Sequence, residues 1–478
     1  MPFPSTLGIV AFATLAGSYG WGMRGCKIGG EKGAMLPGAF LGLIFAWFSG
    51  SDIIRENFWI FSAVGALAMF FGGTETYGET LGFIIKSKPS ENYAKGMVGV
   101  LIKGALWFGI FGAFIGIAFN AMTGTVYKWQ DFVIFFALLV PLRFVGILLF
   151  NRPVKPEQNK FPKFYFSKTR KESWGGLLVL LIMLIVLMAV RGDTYSLMFS
   201  GAGALSGAIG WALGINLFYL TCQPLKSGKY FFGSWQTKGY IGSWKIMEFT
   251  LGAVGGLGTS LYFCLNYAKL QSIIGVIDIK GALWNPLGDK QNAAALISLV
   301  LILLTGFQYL FQSTHQKNVK PKSKTDYLGL LFEGLEQPFY SYIPLVFILL
   351  GGVRTAQIVS FFALFWVLAE MDFFERFIKT KARWFWFVVF IGGCVAILAG
   401  ELFLPSSYTA WQTWLLYCVA YEFFELCWII HVGRENVEAG DGKKPFYQRM
   451  RRLSEPLVHG YFLLQIAALL LIGFFVFR

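Results

Sequence analysis

The residues best suited to chemistry lie between Gly20 and Ala39. Seven of these twenty positions are glycine, and Arg24, Lys27, Glu31 and Lys32 are threaded among them. Glycine lets a backbone leave helical geometry and approach a ligand closely. Three cations beside such a backbone suit an anionic group, and the first amides of a following helix would add donors. Trp21 opens the segment and could line the same space. The pattern is that of a broken or re-entrant helix holding a small polar or anionic solute. It matches neither the GxxxxGK[ST] phosphate loop nor the GxGxxG dinucleotide fingerprint. The plainer alternative is a tight turn whose charges set topology.

Carboxylates form a second group. Glu75 and Glu79 are four apart in Gly72–Thr80 and share a face if that helix continues. Like charges so close favour keeping one of them protonated, which suits a coupling proton or sodium ion. Simple pairing with Arg24, Lys27 or Lys32 is the competing explanation. Glu336, followed by Gln337 and Pro338, and the pair Glu422 and Glu425 fall deepest in apolar runs. Ionisable groups in lipid are costly and face a cavity or a partner. Lys103, Arg143 and Lys245 also fall within apolar runs and are possible counter-ions.

Metal and nucleophile chemistry find less support. There are three histidines, and Cys427 with His431 is an isolated i,i+4 pair. No HExxH, GxSxG or EF-hand loop occurs. No metal and no cofactor is expected. The six cysteines (Cys26, Cys222, Cys264, Cys394, Cys418 and Cys427) lie in or beside apolar runs and contain no CxxC pair. They read as small buried hydrophobes.

Something must position these groups, and composition identifies it. The 478 residues are 56% hydrophobic and only 14% charged, with mean hydropathy +0.58. Soluble domains carry about 25% charged residues. A soluble chain of this composition would expose more apolar surface than water tolerates. The runs are continuous and long, which argues against the alternating segments of a β-barrel. We therefore expect an all-α polytopic transmembrane bundle, with all of 1–478 forming one integral membrane domain.

About fourteen spans (twelve to fourteen) are expected: 5–23, 33–50, 57–74, 96–121, 130–150, 174–190, 195–219, 245–267, 291–313, 327–351, 355–375, 384–403, 410–431 and 459–477. The count resembles that of fourteen-span secondary transporters and lipid flippases, without their signature motifs. Of the 41 Lys and Arg residues, 30 follow odd-numbered spans and seven follow even-numbered ones. The positive-inside rule then puts the odd loops in the cytoplasm and both termini outside, in a plasma or inner membrane. No basic residue precedes Arg24, so no cleavable signal peptide is expected. The net charge of +15 sits mostly in short loops, which suits anionic phospholipids and argues against nucleic acid.

Two features of arrangement follow. Leu15–Trp21 echoes Leu205–Trp211, a weak sign of parallel repeats over 1–191 and 195–404, with two extra spans in 410–478. Most charges within spans, including Lys103, Arg143, Lys245 and Glu248, fall in the half of their span nearest the cytoplasm. That predicts a polar vestibule opening inward. The leading expectation is an ion-coupled transporter. A membrane-embedded transferase acting on a lipid or lipid-linked substrate from the cytoplasmic side, or a lipid flippase or envelope-assembly protein, is the alternative. The scarcity of charge toward the outside weighs against transport.

Overall fold

The computed structural model describes residues 3–23, 34–73, 89–151, 164, 166, 172–222, 225, 227–233 and 242–284. The last six expected spans, from residue 291 onward, lie outside them. Of the described residues 84% are helical and none is in a strand.

Ten helices are described: α1 (Phe3–Met23), α2 (Met35–Trp47), α3 (Asp52–Glu56), α4 (Phe58–Gly73), α5 (Pro89–Met122), α6 (Trp129–Phe150), α7 (Trp174–Val190), α8 (Thr194–Cys222), α9 (Ser243–Leu265) and α10 (Tyr267–Lys280). Eight of them coincide with the first eight expected apolar runs. The short α3 and α10 were not foreseen. Tyr93–Met122 and Thr194–Cys222 are long and apolar enough to cross a membrane. The pair Gln130–Leu139 and Pro141–Phe150, bent by 40°, passes the same test when its two halves are taken together, as a broken span or a re-entrant loop. Pro141 accounts for the bend, because it lacks an N–H and its ring clashes with the preceding turn. Pro37–Trp47, Ile60–Gly73 and Trp174–Val190 are shorter apolar helices.

The helices pack antiparallel, and the register of their contacts shows it. Gly104 meets Gly207 while Gly112 meets Phe199, so α5 and α8 run in opposite directions. Gly17 meets Gly252 while Ala13 meets Gly256, so α1 and α9 do too. In these seams backbone lies on backbone. A Cβ on Gly17 would sit 2.3 Å from the carbonyl oxygen of Gly252, and one on Gly252 only 2.1 Å from that of Gly17. Small residues four apart on facing helices permit this approach, as in membrane helix pairs generally.

The alternation defines two ends. The Met23 end gathers the last turns of α1, α4, α6 and α8 and the first turns of α2, α5, α7 and α9. The Trp47 end gathers the opposite termini. The outer surface is apolar: α8 exposes Leu205, Ile209, Leu213, Leu217 and Leu220 in one stripe, and α6 exposes Ile134, Leu138, Phe144 and Leu148. Such stripes fit a lipid environment better than water.

Candidate functional site

Four charged side chains from α5, α6 and α9 lie in the Met23 half of the bundle: Lys103, Arg143, Lys245 and Glu248. Lys245, in the first turn of α9, donates to the Gly22 carbonyl at 2.8 Å and to Glu248 Oε2 at 2.7 Å. Gly22 lies in the last turn of α1, where carbonyls have no intrahelical partner and a cation is favoured. Lys245 thus fixes the end of α1, from which the chain continues to Arg24. Glu248 is buried against it.

Lys103 is fully buried on α5. Its Nζ stands 3.7 Å from Glu172 Oε1, and neither side chain meets solvent. Glu172 lies two residues before α7. Its Oε1 accepts from the Phe166 amide at 2.8 Å. Asn151 accepts from the Gly175 amide at 2.8 Å and donates to the Phe164 carbonyl, which also takes the Trp174 indole N–H at 3.0 Å. Phe166 packs on Gly99 of α5, where a Cβ would come within 2.5 Å of its ring. Phe164 is therefore tied to the ends of both flanking helices, and Phe166 lies on α5. Arg143, buried on α6, lies 6.0 Å from the centre of the Phe71 ring. Its side chain packs on Gly176, one turn along α7 from Glu172.

Trp21 is enclosed rather than exposed to a space. Its ring stacks on Trp107 at 4.7 Å, and Trp107 meets Trp211 at 4.9 Å. The three indoles, from α1, α5 and α8, are fully buried. Gly72 of α4 backs Trp107, and any side chain there would overlap the indole. The two echoed segments of the sequence thus converge on one aromatic column.

The Trp47 end carries a different polar cluster. Asp193, almost fully buried, caps the first turn of α8. Its Oδ1 accepts from the Ser196 amide at 2.9 Å and from Asn120 at 2.8 Å, and its Oδ2 accepts from Tyr127 at 2.7 Å and from the Ser196 hydroxyl. Among the described residues it has no ion pair. Burial first, then the Asp193 carboxylate, pushes the Tyr127 phenol well above its usual range. Arg191 pairs with Asp131 beside this cluster. Across the same end, α10 bridges two turns: Gln271 donates to the Ser49 carbonyl at 2.7 Å, Ser51 donates to Asp278 at 2.5 Å, and Lys280 donates to the Thr123 carbonyl at 2.5 Å.

Of the site residues expected from sequence, Trp21, Lys103, Arg143 and Lys245 are described, and all four lie at or toward the Met23 end. Arg24, Lys27, Glu31, Lys32, Glu75, Glu79, Glu336, Glu422 and Glu425 lie outside the described residues. Sequence reasoning missed Glu172 and Asp193. Both stand just before an apolar run, where a carboxylate can close on the first turn of a helix; Ser196, three residues after Asp193, was the available sign. Among the described residues no three His, Cys, Asp or Glu side chains group as metal ligands. The chain matches no protein-family model, no curated protein and no solved structure.

Proposed function

We propose that this chain is a multi-pass membrane transporter for a small polar or anionic solute, coupled to protons or sodium ions through carboxylates within the bundle. The observation that carries the proposal is the gathering of Lys103, Glu172, Arg143, Lys245 and Glu248 in the Met23 half of a glycine-seamed bundle whose outer surface is apolar. Burying ions in such a setting is costly, and they are kept there when a pathway or a binding step uses them. In this reading the Met23 end faces the cytoplasm, and Arg24, Lys27 and Lys32 follow directly on an α1 terminus held by Lys245. Glu75, Glu79, Glu336, Glu422 and Glu425 are the sequence-derived candidates for the coupling ion.

A second observation favours transport over lipid chemistry confined to the cytoplasmic side. Asp193 and the Arg191–Asp131 pair supply charge at the Trp47 end, the half in which the sequence offered little. Reconstitution into liposomes loaded with a proton-sensitive dye, challenged with a panel of anionic and polar solutes and with sodium gradients, tests the proposal. Solute-driven flux that is lost in Glu336→Gln or Glu422→Gln is expected. Solute flux indifferent to both proton and sodium gradients would remove the coupling. A protein that moves no solute of the panel but consumes an activated donor on a lipid acceptor would be a transferase instead.

A further inference from the structure

Six of the described helices close into a ring. α1 packs on α2, α2 on α4, α4 on α5, α5 on α8, α8 on α9, and α9 back on α1. Toward the Trp47 end an aromatic layer fills the axis of this ring. Phe45 of α2 meets Phe111 of α5 at 6.3 Å, Phe199 of α8 at 5.6 Å and Phe263 of α9 at 5.2 Å. α10 follows α9 after the single residue Asn266, and Tyr267 in its first turn packs on Phe263. Leu270, Ile274 and Ile277 on one face of α10 are fully buried. The polar ties of α10 reach the ends of α2 and α5, neither of which neighbours α9 in the ring. Gln271 and Asp278 engage Ser49 and Ser51 in the turn after α2. Lys280 donates to the Thr123 carbonyl, and the Trp284 amide donates to the Met122 carbonyl at 2.9 Å, both where α5 ends. α10 therefore crosses the mouth of the ring.

The way α10 is held sets it apart from the helices beneath it. Those interlock backbone on backbone, as Gly17 on Gly252, Gly38 on Gly65 and Gly104 on Gly207 show. α10 has no such seam: a Cβ on Gly275, its one internal glycine, would meet nothing within 4 Å. A brief apolar face and side-chain hydrogen bonds to turns hold it instead. Elements held by few interlocking contacts open at low free energy, whereas a packed core opens only with the whole fold. At Asn266 (φ −105°, ψ 21°) the chain leaves helical geometry for one residue. Hinges need only a few such dihedrals.

We propose that α10 is a lid on the Trp47 mouth of the ring, swinging about Asn266 and latched at its far end to the turns after α2 and α5. Latched, it seals the aromatic layer from the Trp47 side. Lifted, it uncovers that layer at the end opposite Lys103 and Lys245. Its use as the gate of a solute path rests on the transporter reading; its lifting does not.

Thiol accessibility in the full-length protein, reconstituted in liposomes, tests the lid. Ile274→Cys puts a thiol on the buried face of α10, and a maleimide is followed there by peptide mass spectrometry, so native cysteines do not interfere. Slow labelling is expected in the native fold, rising about fivefold for each latch bond removed in Gln271→Ala or Asp278→Ala. Ile277→Cys, on the same face, repeats the measurement should Ile274→Cys fail to fold. A thiol that reacts only after denaturation, even with both latch residues replaced, makes α10 a fixed cap and overturns the proposal. In Ser51→Cys/Asp278→Cys, a short reducible bis-thiosulfonate bridge should stop solute flux until it is reduced, with reagent-treated wild type as the control. Flux that continues through the bridge removes the lid and leaves the transporter. Labelling that follows the latch variants in a protein that moves no solute keeps the lid and removes the transporter.

Discussion

The most deeply buried carboxylates at the two ends of the bundle are held by opposite means. At the Met23 end, carboxylates face cations: Glu172 faces Lys103 and Glu248 faces Lys245. At the Trp47 end, Asp193 is surrounded by neutral donors from three elements, the end of α5, the turn that follows it and the first turn of α8. A carboxylate that accepts several hydrogen bonds is satisfied as an anion and gains little by moving. One balanced by a cation depends on that partner for its burial. The difference separates a carboxylate held by neutral donors from carboxylates held against a charge, although both kinds are buried.

The largest test of this contrast is removal of the anchor. Asp193→Ala strands the Asn120 amide, the Tyr127 hydroxyl and the Ser196 amide, and it deletes the cap of α8. Lost caps cost about 1 kcal/mol, and each stranded buried donor adds roughly 1–3 kcal/mol. A loss of about 4 kcal/mol is expected, read as a lower melting midpoint of the purified protein by tryptophan fluorescence. A change under 1 kcal/mol would mean that Asp193 is no anchor.

The Met23 end should respond differently. Lys103→Met leaves Glu172 buried without its cation, and breaking a buried pair costs about 3 kcal/mol. Adding Glu172→Gln removes the second charge and should restore most of that loss, since buried pairs replaced by neutral groups are close to neutral in stability. The comparison is sharpened by the parallel change at the other end. Asp193→Asn should not be rescued by any single partner, because its four hydrogen bonds come from three different residues. A double variant at Lys103 and Glu172 no more stable than Lys103→Met would contradict the pairing.

The eight apolar helices were legible in the sequence because a hydrophobic run that must satisfy its own backbone has little choice but helix. The run 174–190, for instance, became Trp174–Val190. Charge location within spans was legible for the same reason: Lys103, Arg143 and Lys245 are conspicuous against apolar neighbours. Glu172 and Asp193 were not, because each sits in a polar stretch that reads as solvated loop. Their burial comes from tertiary packing, through Phe166 laid on Gly99 and through Asn120 and Tyr127 closing over the start of α8. α10 escaped notice for a related reason. It is short, it follows directly on α9 after Asn266, and its buried face of Leu270, Ile274 and Ile277 is too brief to stand out from an apolar run. The enclosed Trp column shows the converse, since residue type alone does not tell a cavity wall from a packed core.

The smallest expected effect is also the most specific to the Trp47 end, and it depends on pH. Tyr127 donates to Asp193 at 2.7 Å, and Tyr127→Phe should cost about 1 kcal/mol at neutral pH, one buried hydrogen bond to a charged acceptor less the apolar gain. The phenol holds its proton more tightly in the fold than in the unfolded chain, where it ionises near about pH 10. The stability it contributes is therefore complete below that pH and drains away as pH rises above it. Melting midpoints of the wild type and Tyr127→Phe should run parallel from neutral pH to about pH 9 and converge above about pH 10. The many other tyrosines titrate in both proteins and cancel in the difference. Lines that stay parallel into strong alkali would mean that the Tyr127 proton is not bound to the fold through Asp193, and the anchor would lose its third element.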